Sequence, residues 1–153
     1  MCYTASGMKT NGILSFAGIL LSSAVFMTAY AADTVYVAST GASAPYNGTS
    51  WANAFTNIQD AVDGSASGDL IAIKQGYYSS TNSVPSESMV YLSGKNLDLR
   101  GGYEGSGIPG TYTSDPWKTV FDGQDAIRLL RIDGCSSGLV EGIAMTTGRG
   151  QRG

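Results

Sequence analysis

Met89-Val90-Tyr91-Leu92-Ser93-Gly94 leads on to Leu97-Asp98-Leu99-Arg100-Gly101-Gly102. Later the chain runs Leu129-Leu130-Arg131-Ile132-Asp133-Gly134 and then Leu139-Val140-Glu141-Gly142. Each stretch is a short apolar run closed by a turn former, followed by a second run closed by glycine. Aligned on this pattern, Leu92 falls opposite Ile132 and Gly101 opposite Gly142, an offset of about 40 residues. Much of that offset lies in Gly102–Lys118, a glycine-rich loop with two prolines. Without the loop the period is about 25. Single strands and turns recurring at that interval predict a stack of coils, because one coil of short strands cannot bury its apolar face alone.

The flanking segments fit the same reading. Asp33–Ala38 alternates polar and apolar residues, as a first strand does. Asp69–Ile73 and Thr119–Phe121 are further short strands, and Gly142 leads into Ile143-Ala144-Met145. Strand alternation splits Tyr77 and Tyr78 between the two faces. One helix is expected. Thr56 and Gln59 stand at capping-box spacing, Ile58, Ala61 and Val62 form a narrow apolar stripe, and Gly64 ends it. Residues 32–69 form an N-terminal cap of strand and helix, and 70–153 the first coils. Leu97, Leu99, Val120, Leu130 and Ile132 are the expected inward-facing core.

Composition narrows the function classes. Glycine is abundant at 21 residues and charged residues make up only 14%, which suits strands and turns over long amphipathic helices. The net charge of −3, with scattered Lys and Arg, argues against nucleic acid and against an anionic membrane surface. The absence of histidine excludes a His-based triad or a His-containing zinc site. Of the two cysteines, Cys2 precedes the export signal described next. Cys135 is then alone and reads as a small buried residue at a turn.

Met8-Lys9-Thr10-Asn11 gives a weakly positive start, Ile13–Met27 is mostly apolar, and Ala29-Tyr30-Ala31 supplies small residues before a cleavage point. This is the three-part pattern of a secretory signal peptide, here 1–31, with 1–7 read as a spurious extension ahead of Met8. The apolar run of about 15 residues is shorter than the roughly 20 a membrane span needs. The mature chain, from Ala32, has no stable membrane span and a net charge of about −4, since Lys9 leaves with the signal.

The ordered motifs resemble a known family. Thr34-Val35-Tyr36-Val37, Trp51-Ala52-Asn53-Ala54-Phe55, Ile58-Gln59-Asp60-Ala61-Val62 and Gly68-Asp69-Leu70-Ile71-Ala72-Ile73 resemble the N-terminal cap of pectate-lyase-like proteins. The subgroup it looks most like is exported bacterial surface proteins related to polymorphic outer membrane proteins. Leu99-Arg100-Gly101-Gly102-Tyr103 and Val120-Phe121-Asp122-Gly123 extend the match. The resemblance implies an all-β fold, a right-handed parallel β-helix with a short N-terminal capping helix. It also implies a truncated chain, further coils being expected after Gly153. It implies a secreted, cell-surface or outer-membrane location. The signal peptide, the cap and the lack of catalytic signatures lead to the expected role: an adhesin, display or glycan-contact segment meeting a polysaccharide or host-cell ligand without catalysis. The alternative is the N-terminal fragment of a polysaccharide lyase or glycoside hydrolase whose active site lies beyond Gly153.

The resemblance carries no catalytic residue onto this chain, and no cofactor is assigned. Several residues merit weighing from chemistry alone. Asp122 and Asp125 flank a turn and offer oxygen ligands for calcium, although Asp-Gly is an ordinary turn pair. Arg100 and Glu141 occupy equivalent repeat positions and form either an exposed ion pair or a catalytic arginine with its carboxylate. Trp51, Tyr77, Tyr78 and Tyr103 form either a sugar-binding platform or core, with core the better reading for Trp51. Glu87 and Glu104 lie in loops with no evident partner for acid–base work.

Overall fold

The computed structural model describes residues 31–79 and 88–150. The export signal lies outside these residues, apart from Ala31, as do Glu87 and Gly153. The first strand, β1 (Thr34–Val37), is followed by a loop and by helix α1 (Ile58–Gly64). Strands β2 (Leu70–Lys74) and β3 (Gly76–Ser79) come next, then β4 (Ser88–Ser93) and β5 (Asp98–Tyr103). A short 3-10 helix, Pro116–Lys118, introduces β6 (Thr119–Asp122). The described chain ends with β7 (Arg128–Asp133), β8 (Leu139–Glu141) and β9 (Ala144–Thr146).

These strands form three separate parallel sheets. The first has the order β1-β2-β5-β8, the second β3-β6-β9 and the third β4-β7. Leu92 pairs in register with Ile132, and Arg100 with Glu141. The expectation of an all-β right-handed parallel β-helix is corrected by this arrangement. Short sheets of four, three and two strands stand beside a helix, and no closed or solenoid sheet is formed among the described residues. The architecture is mixed, α/β-like at most. One physical reason lies between β1 and β2. There the chain supplies a loop and a helix where a regular coil would supply strands to the second and third sheets, so the three sheets have unequal strand numbers.

The main core lies between the sheets and α1. Ile71, Ile73, Leu97, Leu99, Val90 and Phe121 are almost fully buried there, joined by Ile58, Ala61 and Val62 from the helix. Leu97 and Leu99 are therefore core, as expected. Val120 and Leu130 are only half-buried, and Ile132 is 49% exposed. In β6 the buried residues are Thr119 and Phe121, one register step from the expected Val120. Leu130 and Ile132 pair with the buried Val90 and Leu92, but they belong to the outermost strand of their sheet, and no further strand among the described residues covers them.

The helix start also differs from expectation. Asn57, not Thr56, is the cap, and its side-chain oxygen accepts a hydrogen bond from the Gln59 amide at 2.8 Å. Gln59 turns away from the helix start. Its side chain bonds Asp63 within the helix and both the N–H and the C=O of Tyr91 on β4.

Candidate functional site

The outer face of the first sheet gathers the side chains of greatest chemical interest. Alternation along β2 turns Ile71 and Ile73 into the main core and leaves Ala72 and Lys74 on the other face. Tyr36 of β1 joins Ala72 there. On β5 the register with β2 shifts, since Ala72 pairs with Arg100 but Lys74 with Tyr103. This bulge adds one residue to β5 and brings Tyr103 to the outer face instead of the core. Gly102 makes the bulge possible. Its φ is +88°, and a β-carbon there would stand 2.0 Å from the Thr113 carbonyl oxygen.

Two loops fold over this face. Residues 104–112 turn back so that Tyr112 bridges antiparallel to Tyr103, with the Glu104 amide donating to the Thr111 carbonyl at 3.1 Å. The loop after β1 brings in Trp51, whose indole N–H donates to the Pro109 carbonyl at 2.9 Å. The result is an aromatic row. Tyr36 and Trp51 meet edge to face at 4.7 Å, Trp51 and Tyr103 lie 5.8 Å apart, and Tyr103 and Tyr112 lie 5.3 Å apart. Tyr36 and Tyr103 are buried, Trp51 is half-buried, and Tyr112 is 44% exposed.

At the exposed end of the row the Arg100 guanidinium lies over the Tyr112 ring, 5.1 Å from its centroid. Its Nε donates to the Glu141 carboxylate across the β5–β8 ladder. The Arg100 pKa is raised above its ordinary value. Burial, the largest influence, opposes the charge, but hydrogen bonding and charge from Tyr103 and Glu141 outweigh it. Donors, acceptors and the exposed part of the Tyr112 ring thus meet at a partly exposed surface, the composition of a site for a polar ligand with an apolar body.

The other residues singled out from sequence are dispersed. Tyr78 is buried against Phe121 at 5.8 Å and Tyr77 is 56% exposed, so neither joins the aromatic row. Asp122 closes its own turn, accepting from the Gln124 amide at 2.9 Å and from the Thr147 hydroxyl, while the Asp125 amide donates to the Thr147 carbonyl. Among the described residues no group of three or more His, Cys, Asp and Glu is placed to hold a metal ion. Glu104 is exposed in its loop. Cys135 is half-buried, its thiol 2.9 Å from the Lys95 carbonyl, at a cavity of about 250 Å³ shared with Leu92, Leu97, Ile132 and Val140. A second charged cluster lies on β7, where Arg131 binds Asp133 at 2.7 Å and the Tyr91 hydroxyl donates to the same carboxylate at 3.1 Å. Hydrogen bonding from Arg131, then from Tyr91, holds the Asp133 carboxyl below its usual range despite some desolvation. No helix among the described residues is long and apolar enough to cross a membrane.

Tyr36, Lys74 and Tyr112 escaped sequence reasoning. Lys74 was legible as the outward end of the Leu70-Ala72-Lys74 alternation. Tyr112 was not, because its place depends on how the 104–112 loop folds back. Comparison of the chain with protein-family models, with curated proteins and with solved structures gives no match.

Proposed function

We propose that this chain is an exported surface segment that contacts glycans without cleaving them, and that the outer face of the first sheet is the contact surface. The three-part N-terminal signal and the motif resemblance to exported bacterial surface proteins support the export part of this reading. The observation that carries the glycan part is the placement of Arg100 and Glu141 beside the exposed Tyr112 ring. A sugar presents hydroxyls to paired donors and acceptors, and apolar C–H edges to an aromatic surface. The absence of catalysis in the proposal rests on Glu141 being engaged by Arg100, which leaves it poorly disposed to act as a proton shuttle.

A panel of immobilised glycans and intact cells tests the proposal with the purified chain. Binding is expected, and Tyr112→Ala and Arg100→Ala should each weaken it about tenfold, a loss of about 1.4 kcal/mol. Sustained degradation of a polysaccharide by the purified chain would overturn the non-catalytic reading. Undiminished binding by both variants would overturn the surface.

A further inference from the structure

Five cationic side chains are half-buried among the described residues: Lys74, Lys95, Arg100, Arg128 and Arg131. Four of them are engaged. Lys95 donates to the Val62 and Asp63 carbonyls at the end of α1, at 2.9 and 2.8 Å. Arg100 holds Glu141, Arg131 holds Asp133, and Arg128 is partnered too. The Lys74 ammonium alone has neither a hydrogen bond nor an ion pair among the described residues. Withdrawing a charge partly from water without a partner is unfavourable, so a half-buried, unengaged ammonium favours an incoming acceptor.

Glycines line the path of the Lys74 side chain. Its stem passes beneath Gly105, where a β-carbon would stand 2.6 Å from Lys74 Cδ, and its Nζ lies 3.5 Å from where a β-carbon on Gly41 would be. Both loops that cover the outer face thus contribute a residue without a side chain where the lysine passes. Lys74 pairs with Tyr103, and its β2 neighbour Ala72 pairs with Arg100, so the ammonium lies on the same face as the aromatic row. Glu104, next to Gly105 in the chain, is exposed and makes no ion pair with it.

We infer that the Lys74 ammonium is a binding site for an anionic substituent, a carboxylate or a sulfate ester, carried by the glycan that contacts this face. The inference rests on the proposed glycan role for its ligand, but the anion site is testable without any glycan. The alternative is that the lysine stem merely covers apolar surface while its head stays in water.

Two measurements on the full chain decide it. In the first, sodium sulfate and sodium acetate are titrated at constant ionic strength while the lysine side-chain ε resonances are followed by NMR. A saturable shift at Lys74, absent at the exposed Lys118, is expected; equal responses at the two lysines overturn the inference. In the second, a polyuronate, a sulfated galactan and a neutral glucan are compared as ligands. Lys74→Gln should weaken binding of at least one anionic polymer about tenfold and leave the neutral one unchanged, while Lys74→Arg retains affinity. Preference between the polyuronate and the galactan identifies the anion. Equal affinities of wild type and Lys74→Gln for both anionic polymers overturn the inference, and matched thermal unfolding of the variants excludes misfolding as the cause of a loss. A Lys74-specific sulfate or acetate shift without binding of any glycan retains the anion site and sinks the glycan role alone.

Discussion

Tyr78 shows how one side chain couples the core to pH. Its ring is buried against Phe121, its hydroxyl donates to the Lys74 carbonyl at 2.8 Å, and it accepts from the Ser39 amide at 3.3 Å. Burial pushes its pKa up to about 12, with the hydrogen bonds at Ser39 pulling the other way. A raised folded-state pKa favours folding while the phenol is protonated. Its contribution is therefore complete below the ordinary tyrosine value of about 10 and is lost as pH rises from about 10 towards 12. The loss should reach at most about 2.7 kcal/mol, two pKa units at 1.36 kcal/mol each. Urea unfolding between pH 9 and pH 12 is expected to show this decline, and Tyr78→Phe should flatten it relative to wild type. The alternation of Tyr77 and Tyr78 was readable from the sequence, because successive strand residues face opposite ways whatever the tertiary context. The hydroxyl's partners were not, since Ser39 lies 39 residues away.

At the scale of the element, α1 shields open strand edges. Phe55, just before the helix, bridges to Val37, and the Gln59 amide bonds both backbone groups of Tyr91 on the free edge of β4. An exposed strand edge invites pairing with other chains, and here a side chain takes the place of a neighbouring strand. Gln59→Leu would leave the Tyr91 N–H and C=O without these partners. It should cost about 1 to 3 kcal/mol in chemical denaturation and raise the tendency to aggregate. Asn57→Ala should cost about 1 kcal/mol by removing the cap. Thr56→Ala should change stability by less than about 0.5 kcal/mol. Sequence spacing favoured Thr56 because Gln59 stands three residues on, as in a capping box. The tertiary structure recruits that glutamine to β4 instead, and Asn57 takes over the helix start.

For the whole molecule, stability should grade across the sheets. Strand β2 lies between β1 and β5, and its Ile71, Ala72 and Ile73 are fully buried. Strands β7, β8 and β9 each lie at the outer edge of a sheet, where Ile132, Leu139 and Met145 are 40 to 49% exposed. Amide hydrogen exchange should therefore be slower in β2 and β5 than in β8 and β9 by about 100-fold or more, equivalent to about 2.7 kcal/mol of local opening free energy. Uniform protection across all four strands would contradict this gradient. By itself the sequence determined the short strands, their glycine-closed ends and the Arg100–Glu141 correspondence, because these follow from local alternation, turn chemistry and a repeating interval. Only the tertiary structure decided the rest: three unequal sheets in place of one stack, a bulge that brings Tyr103 outward, and Lys74 and Tyr112 on the face that Trp51 covers. Those outcomes depend on which distant segments meet, and where no repeating interval links two segments far apart in the chain, their contact leaves no signature in residue order.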